Sequence, residues 1–344
     1  MDRHGSPCAP RGRRTLSGRP DADYVGRVQD ATRPSDTPAL FNHQRPPVPD
    51  MVVPNAILPF HLEGRPVRGR LVRLGDLAEA LIARHDLPVD VARLLGQALV
   101  LTAGLAAALK FQGSFSLQAK GDGPVPMLLA DCTDAGDLRG YARAAEGMVP
   151  KGEASQLLGK GYLAFTCDQG PDMDRYQGIV SIAGDTLADM TDSYFRTSEQ
   201  MQAFVRLACR RTAEGWRATA LILERVAAEG GIDGLENEEA DEAWHTATVL
   251  ARTVKEEEML DDALSSDALL HRLFHAEGLL LDHARPLSYG CRCSRARLAG
   301  VLQGFPESDL DDMAEGGQIT MNCEFCNLAF RFDRGEVRGG AGRA

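Results

Sequence analysis

The pattern of apolar residues divides the chain into regions, and the longest of them, 53–228, consists mostly of strand patterns. Alternation of apolar and polar residues with a period of two is typical of β-strands. Such patterns occur in PVRGRLVRLG, FSLQAKG, VPMLLADC, LRGYARA, GYLAFTCD, YQGIVSI, QAFVRLACR and WRATALILERV. Turn sequences such as GDGP join neighbouring strands. We therefore predict sheets that are mainly antiparallel.

Helical spacing occurs in three segments of the same region. They are LAEALIARHD, PVDVARLLGQALVLTAGLAAALK and LADMTDSYFRTSE. The second is the most apolar run of the chain, and its large residues Val91, Leu94, Leu95, Leu101, Leu105 and Leu109 recur at helical spacing. It is short for a membrane span and contains Gln97 and Lys110, so we expect a core helix. We expect it to begin at Pro88, after a cap at Asp86, in a domain of the α+β class.

A different composition begins at residue 229 and continues to 286. The Gly-rich, acidic EGGIDGLENEEADE is followed by VKEEEMLDDALSSDALLHRLFHAEGLLLDH, which has helical spacing. Residues 231–286 contain 14 Asp and Glu against 4 Lys and Arg, so their charge of −10 is nearly the whole chain's −11. Because like charges weaken short helices, we predict an acidic helical linker that is folded only while docked. Its apolar stripe comprises Leu260, Leu264, Leu269, Leu270, Leu273 and Phe274.

The two ends of the chain lack an apolar period. Residues 1–52 are rich in Pro, Arg, Asp and Ser, and we predict a disordered extension there and a disordered tail at 335–344. An Arg-rich transit peptide is the alternative for the extension, and its acidic residues disfavour it. Residues 1–20 lack the apolar core of a secretory signal, so we expect a cytoplasmic protein whose cysteines are thiols.

Composition narrows the class of protein further. The 344 residues are 44% apolar and 25% charged, as in soluble globular proteins, and suffice for two domains. A nucleic-acid binder usually carries a basic face, so the net charge of −11 disfavours that class. We expect neither nucleic acid nor a membrane as a partner.

Four of the eight cysteines form two close pairs near the C-terminus, Cys291 with Cys293 and Cys323 with Cys326. The spacing is C-x-C, then 29 intervening residues, then C-x-x-C. Four thiolates are a complete tetrahedral shell for zinc, and both sulfurs of each pair can reach one ion. We therefore predict one Zn²⁺ per chain, bound by these four residues within a small domain at 287–334.

Short elements surround the cysteine pairs. We predict a helix capped by Ser294, a second helix from Pro306 to about Gly316, and a hairpin corner at the second pair. About 45 residues are too few to bury a large core, so the metal would supply much of the folding free energy. We expect nearby arginines to balance the charge of the thiolates. These arginines are Arg292, Arg295, Arg297 and Arg331.

Other cysteine chemistry stays open at this level. A zinc ribbon for nucleic acid usually has two C-x₂-C pairs with a shorter gap, and disulfides in the resting state are a further alternative. Thiolates are the form that oxidants attack, so a zinc site can act as a redox trigger. A C-x-C disulfide has distorted geometry and is readily reduced. Of the remaining cysteines, Cys132, Cys167 and Cys209 lie on predicted strands and should be buried.

Catalytic motifs are weak. His271 and His275 are spaced i, i+4, but Arg272 stands where a zinc protease has Glu. GEASQLLGKG lacks the spacing of a phosphate loop, and no G-x-S-x-G sequence occurs. We expect no enzyme activity and no catalytic residue.

The C-terminal CRCSRARL and QITMNCEFCNLAFRFD resemble the bacterial 33 kDa chaperonin family of redox-regulated heat-shock holdases. Further support comes from ALKFQGSFSLQAKGDGPVPMLLAD, LRGYAR and GKGYLAFTCDQGPDMDRYQGIV in the first domain. The resemblance extends from about residue 56 to 333 and includes all four family cysteines. Residues 1–52 depart from the family pattern and take no function from it.

The resemblance implies an ATP-independent chaperone with a large α+β domain, a linker and a zinc domain, inactive while reduced and zinc-bound. On oxidation Cys291 would pair with Cys293, Cys323 would pair with Cys326, zinc would leave and the linker would unfold. The activated form would dimerise and hold unfolding client proteins. Candidates for client contact, which packing of the resting linker explains equally well, are Leu269, Leu270, Leu273 and Phe274.

Two other classes compete with a redox-switched chaperone. One is an acidic zinc-knuckle module that binds a protein or nucleic acid, and the other is an enzyme of unrecognised type. One observation separates the first class from the other two: only a redox-switched chaperone should protect a client protein to different extents in the reduced and the oxidised state.

Overall fold

The computed structural model describes residues 55–337 except for 110–111, 171–172, 174 and 227–236. The predicted extension at 1–52, most of the predicted tail at 335–344 and the Gly-rich start of the linker lie outside the described residues.

The strands, in chain order, are β1 (Ala56–Leu62), β2 (Val67–Leu74), β3 (Ser114–Gly121), β4 (Met127–Thr133), β5 (Asp137–Arg143), β6 (Gly161–Asp168), β7 (Tyr176–Ser181), β8 (Ala203–Thr212), β9 (Gly215–Arg225), β10 (Leu279–Leu281), β11 (Arg285–Pro286), β12 (Ser288–Tyr289), β13 (Gln318–Asn322) and β14 (Ala329–Asp333). The α-helices are α1 (Asp76–Ile82), α2 (Val89–Ala106), α3 (Ala154–Leu158), α4 (Leu187–Tyr194), α5 (Asn237–Arg252), α6 (Glu256–Met259), α7 (Ser266–Phe274), α8 (Arg295–Leu302) and α9 (Glu307–Asp312). All the segments with strand alternation are strands, so the predicted α+β class is confirmed.

Two large sheets form the body of the protein. The first sheet has the order β10-β1-β2-β9-β8, and β11 also pairs with β1. The second sheet has the order β12-β5-β4-β3-β6-β7. Neighbouring strands are antiparallel except for β12, which runs parallel to β5, so the prediction of mainly antiparallel sheets is confirmed.

Strands β1 and β10 were not predicted from the sequence. The sequence of β1, AILPFHL, has no apolar–polar alternation. It also contains Pro59, which disfavours a strand because a proline cannot donate a hydrogen bond to a neighbouring strand. The leucines of β10 were expected to continue a helix, and this expectation is wrong. Gly278 ends the preceding helical turn with a left-handed φ of 72°. The next residues then pair with β1, where Leu281 lies opposite Phe60.

Helix α2 lies between the two sheets and packs against strands of both. By length and composition this helix could cross a membrane, but 78% of it is buried within the protein, as expected of a core helix. It begins just after Pro88, as predicted. Asp86 does not cap it, because Asp86 has a left-handed backbone (φ 48°) that ends the turn after α1.

The opposite side of the first sheet, which we call the linker face, is covered by α5, α6 and α7. Its apolar members are Leu58, Phe60, Leu62, Val67, Leu71, Phe204, Ala208, Leu221 and Leu223. Helix α7 places Phe274 against this face, where its ring stacks on Phe60 at a centroid distance of 5.5 Å. The Phe60 ring in turn lies over Gly69, where a Cβ atom would meet it at 2.1 Å. An acidic segment is thus held by an apolar contact with the sheet.

The linker is not one continuous helix from Val254 onward, as its spacing suggested. Helix α6 ends at Met259, and a turn containing Asp261 separates it from α7. Helix α7 has a cap of its own, since the Ser265 hydroxyl accepts a hydrogen bond from the backbone N–H of Ala268. Two short helices therefore replace the predicted long one.

The C-terminal module, residues 287–337, packs around a core of its own. Ser294 caps α8 by accepting from the backbone N–H of Arg297, and Pro306 precedes α9, both as predicted. Helix α9 ends at Asp312, earlier than predicted. Strands β13 and β14 form the predicted hairpin. The buried members of this core are Cys291, Cys293, Leu302, Leu310, Ile319, Cys323, Cys326, Phe330, Phe332 and Val337.

Candidate metal centre and linker interface

The four predicted ligand cysteines meet at one point inside the C-terminal module. Their sulfur atoms all lie within 4.8 Å of one another. The Sγ atoms of Cys291 and Cys323 are 3.7 Å apart, and those of Cys293 and Cys326 are 3.4 Å apart. The hairpin brings Cys323 and Cys326 together, because the Cys323 carbonyl accepts from the N–H groups of Cys326 and Asn327.

This donor set fits a zinc ion. Sulfurs that bind one tetrahedral zinc at about 2.3 Å lie about 3.8 Å from each other. The sulfur separations given above are of that size, and the four residues are buried or nearly so. The cysteines can therefore hold a metal ion with small shifts of their side chains.

The thiols have unequal acidities in this arrangement. Hydrogen bonds from Cys323 and Cys326 lower the pKa of Cys291. Burial raises the pKa of Cys293 to about 12, and hydrogen bonding to Cys291 raises the pKa of Cys326. One ionised sulfur thus suppresses ionisation of its neighbours, since negative charges at this distance repel each other. A divalent cation would remove this repulsion and favour four thiolates.

The first cysteine pair is tied to the second sheet through Arg292, which stands between Cys291 and Cys293. The Arg292 guanidinium bonds to the carboxylate of Asp131 at 2.8 Å, and Arg139 bonds to the same carboxylate at 2.9 Å. Asp131 is itself only 7% exposed. A buried carboxylate of the first domain therefore positions the backbone of the C-x-C segment.

The second cysteine pair is tied to the same sheet through Phe325. The Phe325 ring meets the ring of Tyr141 edge-on at 5.1 Å, and the Arg139 guanidinium lies 4.1 Å from its centroid. Arg143 pairs with Glu324 beside it. Arg292, one of the arginines expected to balance the charge of the thiolates, places its guanidinium on Asp131.

His85 lies behind the docked module, at the end of the turn after α1. Burial and the neighbouring charge of Arg84 lower its pKa to about 4. Its Nε2 atom is buried without a hydrogen-bond partner among the described residues. Docking of the module therefore favours the neutral imidazole.

The chain runs directly from the linker into the metal centre. Strand β11 pairs with β1 of the first sheet, and β12 pairs with β5 of the second sheet. Leu287, between them, is 2% exposed and belongs to the main core. Cys291 follows β12 by two residues, so the position of the cysteines and the position of the linker are mechanically connected.

A polar contact holds the turn between α6 and α7 on the sheet. Arg73, on the linker face, donates to the backbone carbonyls of Met259 (3.0 Å), Asp261 (2.7 Å) and Leu264. The Thr219 hydroxyl donates to the same Met259 carbonyl at 2.8 Å. We call this arrangement of Arg73 and Thr219 the carbonyl clamp. It supplies donors to the carbonyl groups at the end of α6 and in the turn that follows it.

Sequence reasoning missed the carbonyl clamp and Asp131. The sequence gives a weak indication for Arg73, because Arg73 follows Leu71 by two residues and therefore lies on the same, inward-facing side of β2. An arginine at an inward position needs a partner, but the strand alone does not name that partner. For Asp131, the alternation of β4 gave no signal.

The remaining predicted residues are placed as follows. The candidates for client contact, Leu269, Leu270, Leu273 and Phe274, are all buried against the linker face in this state. Cys132, Cys167 and Cys209 are buried, as predicted. His271 and His275 stack on each other at 5.3 Å, away from the four cysteines.

Comparison with known proteins agrees with this architecture. Residues 55–333 match the family model described as Hsp33 protein. The 33 kDa chaperonin of Caulobacter vibrioides (strain NA1000 / CB15N) is 39% identical over 295 residues, covering 82% of this chain and 96% of the relative. The 33 kDa chaperonin of Pseudomonas paraeruginosa (strain DSM 24068 / PA7) is 37% identical over 282 residues, covering 81% and 91%.

A solved structure has the same fold. It is the crystal structure of the 33 kDa chaperonin, a heat shock protein 33 homolog, from Thermotoga maritima. The TM-score is 0.70 at 20% identity, and the match covers 82% of this chain and 96% of that chain. The resemblance identified from the cysteine segments is therefore confirmed, and this chain belongs to the Hsp33 family of chaperones.

Proposed function

We propose that this chain is a redox-regulated, ATP-independent holdase of the cytoplasm, which protects unfolding proteins from aggregation during oxidative stress. The reduced, zinc-bound form is inactive, and oxidation of the four cysteines activates it. Its partners are unfolded or partly unfolded client proteins and, once it is oxidised, a second copy of itself. The division into a chaperone domain (53–228), a conditional linker (229–286) and a switch domain (287–334) is part of this proposal.

One observation supports the proposal most strongly. An acidic linker covers an apolar sheet surface and leads within a few residues to a cluster of four sulfurs. Helices this short depend on their docking surface for stability. Unfolding of the C-terminal module therefore loosens the adjoining strands β12 and β11, which anchor the end of the linker, and frees the linker. The uncovered linker face can then bind apolar segments of unfolding chains.

Zinc, when bound, would keep all four cysteines ionised and cross-link the two pairs. In the oxidation step the thiolates of Cys291 and Cys293 give up two electrons and form one S–S bond. Cys323 and Cys326 do the same. Each disulfide consumes one hydrogen peroxide, which takes the two electrons from the thiolates and two protons from solvent and becomes two water molecules. Sulfurs joined in disulfides no longer bind the metal, so the module loses its main source of stability.

The pairing within each motif is a proposal that rests on the family. In this structure sulfurs of different motifs are also in contact, as Cys291 with Cys323 at 3.7 Å and Cys293 with Cys326 at 3.4 Å. Because all four sulfurs are within 4.8 Å, each pairing needs only small movements. Peptide mapping of the oxidised protein under conditions that block exchange identifies the pairs.

The deciding experiment measures light scattering of a heat-unfolding reporter enzyme with reduced and with peroxide-treated protein. We expect suppression of aggregation by the oxidised form alone, with no nucleotide added, and we expect one zinc per chain to be lost on oxidation. Equal activity in both states, or zinc that stays bound to the fully oxidised protein, would contradict the proposal.

A cysteine variant tests whether the metal centre is the switch. Cys323→Ser removes one ligand, so we expect the C-terminal module to melt while the two-sheet domain stays folded. The matched control is Cys8→Ser, which makes the same chemical change outside the described residues. A single cooperative transition that is lost in Cys323→Ser would show that the module and the first domain are not separable.

A further inference from the structure

The charges across the linker interface are one-sided. Arginines of the first domain meet acidic residues of the linker at four places. The contacts, with their N···O distances, are Arg65–Glu277 (3.0 Å), Arg210–Glu257 (3.9 Å), Arg217–Asp262 (2.7 Å) and Arg225–Asp241 (2.6 Å). The reverse arrangement, an acidic side chain of the sheet with a basic side chain of the linker, does not occur among the ion pairs of the described residues. The sheet therefore presents to the linker positively charged side chains around an apolar area. We call this area, the apolar part of the linker face, the apolar floor.

The arginines surround the apolar floor. Arg210 and Arg225 lie on the inward-alternating positions of β8 and β9, on the same side as Phe204 and Leu223. Arg217 follows on the same side of β9 and is buried, with 6% of its side chain exposed. The floor between them is the apolar part of the linker face. A segment that covers this surface must therefore supply apolar and acidic side chains together.

The carbonyl clamp adds a contact that does not depend on side chains. Arg73 and Thr219 bind only backbone carbonyl oxygens of the linker turn. Any polypeptide with free carbonyls, such as a turn or the end of a short helix, offers the same group. The clamp thus suits a peptide ligand without limiting its sequence.

We propose that the uncovered linker face selects client segments in which acidic residues stand beside apolar ones, and that the linker is its internal occupant. This inference rests on the proposed function and deepens it, since it names the chemical class of client. Release of the linker leaves Arg65, Arg210, Arg217 and Arg225 beside an apolar surface without their linker partners, and Arg217 keeps only its contact with Asp76 of the first domain at 3.3 Å. Neutral apolar segments can pack only on the apolar floor, whereas acidic amphipathic segments can pack on the floor and also form ion pairs with the arginines.

A polypeptide fits this surface better than a nucleic acid does. Phosphates would satisfy the arginines, but they would leave the side chains of Phe60, Leu71 and Leu223 without apolar partners. The linker that occupies the surface in this structure is itself a polypeptide, and its backbone fills the clamp. Binding of nucleic acid becomes an outcome of the test.

The probe is a fluorescent peptide with the sequence of residues 237–274, titrated into the full-length oxidised protein. A contact analogue changes Asp241→Asn, Glu257→Gln and Asp262→Asn, the acids that meet arginines. A matched analogue changes Glu238→Gln, Glu239→Gln and Glu256→Gln, which are exposed and make none of the ion pairs above. The two analogues have the same net charge, so they separate specific contacts from overall charge.

We expect the contact analogue to bind about tenfold more weakly than the native peptide, and the matched analogue within about threefold of it. In the double variant Arg210→Gln, Arg225→Gln the difference between the analogues should shrink to about threefold. The control variant Arg297→Gln, an exposed change in helix α8, should keep the full difference. Reduced protein, whose own linker occupies the face, should bind none of the peptides.

Equal binding of the two analogues would overturn the inference while leaving the chaperone function standing, provided that the oxidised protein still suppresses aggregation. The same conclusion follows if none of the peptides binds to an oxidised protein that is active. Displacement of the native peptide by a single-stranded oligonucleotide, with affinity lost in the double variant, would make the face a general anion site and would also overturn it. Failure of the aggregation assay itself would refute the proposed function instead.

Discussion

Replacing Arg73 by methionine should release the linker without oxidation. Methionine keeps the length of the aliphatic stem, so the floor of the linker face stays filled, but it removes every donor of the guanidinium. Arg73 is 3% exposed and donates to the carbonyls of Met259, Asp261 and Leu264. The substitution therefore acts on the docked state of the linker and not on the solvent-exposed surface.

The size of the effect follows from what each carbonyl retains. The Met259 carbonyl keeps the Thr219 hydroxyl, and the Asp261 carbonyl keeps the N–H of Leu264. The Leu264 carbonyl loses a charged donor. Hydrogen bonds to charged groups contribute about 1.5–3 kcal/mol each, so one full loss and two partial losses amount to about 3 kcal/mol. The open population of the linker should rise about a hundredfold.

Hydrogen exchange of the reduced, zinc-loaded protein measures this change. Amides of residues 256–264 should exchange about a hundredfold faster in Arg73→Met, and the reduced variant should begin to suppress aggregation of a reporter enzyme. Arg68→Met is the matched control, because Arg68 lies on the same strand but is exposed. Unchanged exchange in 256–264, with the circular dichroism of a folded protein, would refute the role of the clamp.

Three further outcomes are expected. Asp131→Asn should speed loss of zinc to a chelator several-fold, since the Asp131 carboxylate holds Arg292 between two ligands; the exposed control Asp134→Asn should not. Burial lowers the pKa of His85 to about 4, and the docked module contributes to that burial, so the docked state binds fewer protons than the undocked state. Docking should therefore weaken as pH falls from about 6.5 towards 4, and His85→Gln should flatten this dependence in hydrogen exchange. Phe274→Ala should weaken docking of the linker by about 3 kcal/mol, because the Phe274 ring is buried against Phe60. Hydrogen exchange in α7 measures this change.

Local patterns predicted most of the fold because they report on burial. In the first domain, every alternating segment faces a core on at least one side. The period of two in its sequence therefore follows the alternation of buried and exposed side chains along the strand. Strand β1 was not predicted because AILPFHL lacks alternation and contains a proline. Strand β10 was not predicted because three leucines fit a helix as well as a strand. Their pairing with each other is a contact between residues far apart in the sequence, which no local pattern contains.

The sequence alone indicated a metal-binding chemistry, since four cysteines in two close pairs supply one complete set of thiolate ligands. The fold brings the two pairs together. The sequence also determined that the linker is acidic and amphipathic, because charge and apolar period are local properties. Only the tertiary structure decided which surface the linker covers, which arginines oppose its acids, and that Asp131 holds the first cysteine pair. Those contacts join residues that are distant in sequence, 45 positions apart for Arg217 and Asp262 and 161 for Asp131 and Arg292. Their energies depend on distance and burial, which exist only in the folded chain.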